Sequence, residues 1–126
     1  MTAPSSSRWA KLSLVVLAVY WLALCCGTHV RQPPPIGASQ WDKAIHFAAF
    51  AVLAVLLLLA WSRFRTPARQ SYEVAFSVLV VYAAADEFSQ LVVGRSCDPW
   101  DWVADVSGAV VGLTLVAAMG RRGGAG

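Results

Sequence analysis

An all-α integral membrane fold, a four-helix transmembrane bundle with both termini on the cytoplasmic side, is what this sequence predicts from three observations. The 126 residues are 58% hydrophobic and only 13% charged, more apolar surface than a soluble domain of this length can hide. The apolar residues are gathered into four long blocks separated by short polar punctuation, not spread at amphipathic spacing. The basic residues are distributed unevenly between the two sets of block ends.

The blocks run over about residues 9–26, 44–61, 74–93 and 102–119. Each is roughly 18 to 20 residues, enough at about 1.5 Å per residue to cross a hydrocarbon core near 30 Å thick. Five of the six tryptophans, Trp9, Trp41, Trp61, Trp100 and Trp102, fall at block ends, where an indole suits the headgroup region. Arg8 and Lys11 precede the first block, and Ala23-Leu24-Cys25 resembles a small-residue cleavage context. The run is long for the core of a signal peptide, so an uncleaved anchor is expected.

Orientation follows from Lys and Arg in the flanks, which are retained on the cytoplasmic side. Arg8, Lys11, Arg63, Arg65, Arg69, Arg121 and Arg122 lie on one side, and Arg31, Lys43 and Arg95 on the other, seven against three. Both termini are therefore expected inside, with the loops at about 27–41 and 94–101 outside. The pI of about 9.0 then reflects topology and calls for no nucleic-acid partner. Pro33-Pro34-Pro35 reads as a stiff spacer between the first two spans. Residues 1–8 and 120–126 are expected to be mobile tails flanking a single membrane domain at 9–119.

Ionisable groups are costly inside a bilayer, about 2.5 to 3.5 kcal/mol for an Asp at a helix centre, so those that remain need a reason. Here they are grouped. Asp42 and His46 open the second span, Asp86, Glu87 and Gln90 lie near the end of the third, and Asp98, Asp101 and Asp105 open the fourth, with Arg95 between the last two groups. Alternating spans bring these ends to one membrane face, and intervals of three and four place the members of each group on one helix side. One polar cluster on three helices is expected. Gly108 and Gly112 on the fourth span have the small-xxx-small spacing that lets two helices approach closely.

These residues also carry a resemblance. Asp42-Lys43-Ala44-Ile45-His46-Phe47, then Asp86-Glu87-Phe88-Ser89-Gln90, Arg95, and Asp101-Trp102-Val103-Ala104-Asp105 resemble the VanZ-like family of small bacterial multi-span proteins over about residues 42–112. The family is named for a member that raises resistance to the glycopeptide teicoplanin. The resemblance implies a bacterial cytoplasmic membrane protein of the cell envelope, with Asp42, His46, Glu87, Gln90, Arg95 and Asp101 as motif positions. Asp105 departs from the pattern, since the family usually has Asn there.

Two uses of the cluster are expected. In the first, Asp42, His46, Asp86, Glu87, Gln90, Arg95, Asp101 and Asp105 form an outer-face pocket that binds or modifies a lipid-linked cell-wall precursor or another amphiphile. Arg95 anchors a phosphate or carboxylate through its planar fork, and Trp41, Phe47, Phe88, Trp100 and Trp102 line the approach. In the second, Glu87 or His46 is the general base of an intramembrane enzyme, with Asp101 or another neighbouring acid as proton donor, since crowded carboxylates in a dry site cannot all stay ionised. A purely structural network in a membrane assembly subunit is the remaining reading. The same groups suit Mg, Mn or Zn, but no ligand spacing such as His-Glu-x-x-His is present, so no metal and no cofactor is assigned. Membrane lipids are the expected surroundings, and a chain of four spans without an internal repeat is compatible with an oligomer. Cys97 is placed to reach Cys25 or Cys26.

Overall fold

The computed structural model describes residues 5–30, 39–62 and 68–123. Four helices account for most of them: α1 (Ser5–Thr28), α2 (Ser39–Trp61), α3 (Ala68–Gln90) and α4 (Pro99–Gly123), with a single 3₁₀ turn at Leu91–Val93. There is no strand among the described residues. Each helix contains a stretch long and apolar enough to cross a membrane: Arg8–Thr28, Trp41–Trp61, Arg69–Val93 and Pro99–Gly120. The all-helical, four-span expectation is met, and the chain is a multi-pass membrane protein. The helices reach into both segments expected as tails, to Ser5 at one end and Gly123 at the other. Arg31, the Pro33 to Pro35 spacer, Arg63 and Arg65 lie outside the described residues, as do the side chains of Arg121 and Arg122.

Side-chain pairings give the topology. Trp21 of α1 meets Tyr82 of α3, and seven residues later Thr28 meets Asp86, so α1 and α3 run parallel. Gly108 of α4 lies on Phe47 of α2 and Gly112 on Ala51, so this pair is parallel too. Trp102 Nε1 donates to the Val80 carbonyl at 3.5 Å while Asp98 N reaches Glu87, so α3 and α4 are antiparallel. The chain goes up, down, up and down, which puts the end of α1, the start of α2, the end of α3 and the start of α4 at one end of the bundle.

The core lies along α2. Phe50, Leu53, Ala54, Leu57, Leu58 and Ala60 are buried there against Leu79 and Ala83 of α3 and Ala109 and Leu113 of α4, and α1 adds only Leu17. Outward-facing leucines and valines such as Leu22, Val81 and Leu115 stay exposed, as lipid-facing positions do. The α2–α4 contact is the tightest in the bundle. A Cβ added to Gly108 would overlap the Phe47 carbonyl, and one added to Gly112 would overlap the Ala51 carbonyl and sit 2.9 Å from Ala54 Cβ. The glycine spacing therefore does what the sequence implied: it lets two backbones touch where lipid supplies no hydrophobic drive to push them together.

The connection from α3 to α4 is shorter and more ordered than a loop over 94–101. The helix ends at Gln90, the 3₁₀ turn follows, and Gly94 closes it at φ 77°, the left-handed region that glycine enters without steric cost. Arg95 N then donates to the Gln90 carbonyl at 3.1 Å. Asp98 caps α4, its Oδ1 accepting the Trp100 N–H at 2.9 Å, and Pro99 occupies the first helical position, where a missing N–H costs nothing. Asp101 consequently stands in the first turn of the helix and not in a loop.

Candidate functional site

The polar end of the bundle is built from these helix termini. Asp86, Glu87 and Gln90 occupy the last turn of α3 and face inward, all three buried, as are His46 of α2 and Asp101 and Asp105 of α4. Asp42 and Arg95 are half-buried at the rim. The eight positions singled out in the sequence thus come to one end of the bundle: six are linked by hydrogen bonds that run through Thr28, Lys43 and Asp98, and His46 and Asp105 bond to each other.

Three sub-networks can be followed. Lys43 Nζ donates to Asp98 Oδ2 at 2.7 Å and to Asp101 Oδ1 at 2.9 Å, clamping the start of α2 to the start of α4. The Lys43 ammonium, with the Trp100 N–H after it, holds the Asp98 carboxyl below its ordinary value. Deeper, His46 Nδ1 lies 2.9 Å from Asp105 Oδ1. Asp105 has no exposed surface, and its Oδ2 has no hydrogen-bond partner. On α3, Gln90 Nε2 donates to Asp86 Oδ2 at 3.2 Å and to Glu87 Oε1 at 3.3 Å, while Glu87 Oε2 accepts the Asp98 N–H at 3.1 Å.

The pairings differ in part from those spacing suggests. Asp42 and His46 share a face of α2 but do not pair: His46 turns to Asp105, and Asp42 meets Arg95 Nη2 at 3.5 Å. Among the described residues Arg95 makes no hydrogen bond to the buried acids; its Nη1 donates to the Thr28 carbonyl at 2.8 Å. The network also spans four helices, not three. Thr28 Oγ1 donates to Asp86 Oδ1 at 3.0 Å, and His29 Nε2 is 2.8 Å from Ser89 Oγ while its Nδ1 is 2.7 Å from the Cys25 carbonyl. Thr28 and His29 are legible in the sequence as polar residues just past the first block, at the same end of the bundle as the rest. Cys25, Cys26 and Cys97 are all free, so the bridge conceived from the sequence is not formed.

Two cavities flank the cluster. One, of about 220 Å³, opens between α1 and α2; Ala23, Leu24, Ile45 and Ala49 give it an apolar wall, and Asp42, His46 and Arg95 a polar one. The other, of about 240 Å³ between α3 and α4, is lined by Glu87, Phe88, Cys97, Pro99 and Trp102 with Ala84. Of the aromatic residues expected at the approach, Phe88 and Trp102 border this second cavity, whereas Trp41 and Trp100 are exposed on the outside. Donor atoms of His46, Glu87 and Asp105 lie within 4.8 Å of one another, as do those of Asp42, His46 and Asp101, and of Cys25, His29 and Asp86. The arrangement can therefore receive a polar group at the rim, relay a proton between imidazole and carboxylate, or hold a cation.

A family model described as VanZ/LLP1 matches residues 4–120, nearly the whole chain and every residue of the cluster. Comparison with curated proteins and with solved structures finds no match.

Proposed function

The chain belongs to the VanZ/LLP1 family, and on that premise we propose that its polar end binds the headgroup of a lipid-linked envelope component or similar amphiphile in the cleft between α1 and α2. The cleft itself carries the proposal: an apolar wall of Ala23, Leu24, Ile45 and Ala49 faces a polar wall of Asp42, His46 and Arg95. That division matches an amphiphile, with acyl chain against the aliphatic side and headgroup at the rim. Arg95 spends one N–H on the Thr28 carbonyl and one on a long contact to Asp42. A guanidinium has five donors, so others remain for a phosphate or carboxylate. The arginine and lysine count supports an orientation with this end on the outer face, and for a chain of the bacterial cytoplasmic membrane that is the face lipid-linked envelope components and glycopeptides share.

The test is retention of lipid. Protein purified in nanodiscs from its host membrane should carry a headgroup-bearing amphiphile detectable by mass spectrometry, and Arg95→Gln should reduce its recovery by about tenfold, the effect of losing a charge-assisted bond of roughly 1.5 kcal/mol. Equal recovery from a folded Arg95→Gln variant would refute the assignment. A glycopeptide susceptibility assay on cells expressing the two forms tests the cellular consequence.

Intramembrane acid/base chemistry is a second reading, supported by the buried His46–Asp105 pair. A carboxylate at Nδ1 fixes the imidazole tautomer and leaves Nε2 as the base, the relation of orienting acid to histidine found in nucleophilic hydrolases.

A further inference from the structure

We infer that His46, Glu87 and Asp105 form a binding site for one divalent first-row metal ion, of manganese or zinc character, at the centre of the polar end.

The first argument is geometric. Ligands at bond lengths of about 2.0 to 2.2 Å are about 2.9 Å apart when they subtend a right angle at the ion and about 3.4 Å at the tetrahedral angle. His46 Nδ1 and Asp105 Oδ1 are 2.9 Å apart, the separation of neighbouring ligands on one ion. Glu87 brings a third donor within 4.8 Å of both, so a small side-chain rotation closes the set. The ion takes the place of the proton between Nδ1 and Oδ1, and that proton moves to Nε2.

The second argument is independent and points to a missing partner. Asp105 is fully enclosed, and its Oδ2 has no donor. A carboxylate oxygen buried without a partner is among the costliest groups a protein can hold, and a metal ion satisfies it directly. Asp105 adds a second anionic donor beside Glu87, which makes the site one a dication neutralises.

The third is charge. Lys43 is occupied by Asp98 and Asp101, and Arg95 by Asp42 and a carbonyl, so no basic side chain among the described residues pairs with Glu87 or Asp105 other than His46. Supporting contacts are already in place: Gln90 Nε2 holds Glu87 Oε1 and the Asp98 N–H holds Oε2, the outer contacts that orient a metal-ligating carboxylate. One imidazole and two carboxylates are a donor set for Zn or Mn, with coordination positions left over for water or substrate.

The inference does not depend on amphiphile binding, whose readout is retained lipid. Chelator-treated protein in nanodiscs is titrated with Mn²⁺ and, separately, with Zn²⁺, and bound metal is measured per chain. Binding of one ion is expected, with ¹⁴N coupling from a histidine in the pulsed electron paramagnetic resonance of the Mn²⁺ form. Asp105→Asn and His46→Gln should each weaken binding by about tenfold or more, and Glu73→Gln, exposed near the opposite end, should not change it. The absence of a bound ion in folded wild-type protein, the absence of ¹⁴N coupling, or binding undiminished in both site variants would overturn the inference and leave protons to meet the charge deficit. The wild-type spectrum decides the matter even if a site variant fails to fold.

Discussion

The α2–α4 pair and helix α1 are held to the same bundle by opposite means. Between α2 and α4 the apolar length of the contact is backbone on backbone: Gly108 rests on the Phe47 carbonyl and Gly112 on the Ala51 carbonyl, and polar side chains, Lys43 to Asp98 and Asp101 and His46 to Asp105, join the pair at one end. Helix α1 contributes one residue, Leu17, to the buried apolar core. It is fastened by side-chain hydrogen bonds instead: Tyr20 Oη to the Ala49 carbonyl at 2.9 Å, Thr28 to Asp86, and Arg95 to the Thr28 carbonyl. In lipid both are workable, because close packing of small residues and interhelical hydrogen bonds replace the hydrophobic force that assembles helices in water. They differ in what they permit. A backbone seam fixes one distance and tolerates no added atom, whereas polar tethers at one end allow the rest of a helix to move. The cleft proposed for the amphiphile lies on the tethered side, and the His46–Asp105 pair lies across the rigid seam.

The largest effect should come from breaking the seam. Gly108→Ala forces α2 and α4 apart and should destabilise the folded bundle by roughly 1–3 kcal/mol, the usual range for overpacking, measured by SDS titration in mixed micelles. The same separation pulls His46 from Asp105, since these residues flank the contact. A Gly108→Ala protein as stable as wild type would mean that the helices do not touch there.

Cutting a tether should cost less and act elsewhere. Thr28→Val preserves shape and removes the donor to Asp86, which keeps Gln90 and a longer 3.4 Å contact from Tyr82. A loss of about 0.6 to 1.5 kcal/mol is expected, the range measured for interhelical hydrogen bonds in membranes. Alkylation of Cys25, half-buried on α1, should accelerate as the helix loosens, while Cys97 should react as before. Equal acceleration at both thiols would show that the bundle opens as a unit, with no distinct loosely held helix. Tyr20→Phe removes the tether nearer mid-helix and should cost about 0.6 kcal/mol, the average for such bonds.

The same contrast explains what the sequence disclosed. The seam was legible because a glycine repeat is a property of one helix: Gly108 and Gly112 must share a face whatever the neighbours do. The four spans were legible because length and apolarity are likewise local. The grouping of acids followed from topology, since alternating spans leave helix ends at only two levels. Pairing was not legible. Whether His46 faces Asp42, four residues away on its own helix, or Asp105, 59 residues on, depends on how α2 and α4 are rotated about their axes, which the packing decides. The share of α1 in the site was hidden for a related reason. Thr28 and His29 are ordinary polar residues at a span end until the parallel course of α1 and α3 brings them to Asp86 and Ser89.

The smallest effect concerns the polar clamp at the open end of the seam. Asp98 is bonded to Lys43 and to the Trp100 N–H, and both hold its carboxyl below the ordinary value. A folded-state value below the unfolded one stabilises the protein above the unfolded pKa, and that contribution disappears as pH falls through the folded value. The clamp is therefore intact at neutral pH and fails only in acid, below about pH 4. Asp98→Asn separates its two duties, because asparagine caps a helix as well as aspartate does but has no charge for Lys43. At pH 7 the variant should be slightly less stable than wild type, and on acidification the two curves should converge as the wild-type carboxyl takes up its proton. Lys43 keeps Asp101 in either case, which limits the loss. A gap that persists unchanged to pH 2 would assign the effect to the cap, and Lys43 would then hold the start of α4 through Asp101 and not through Asp98.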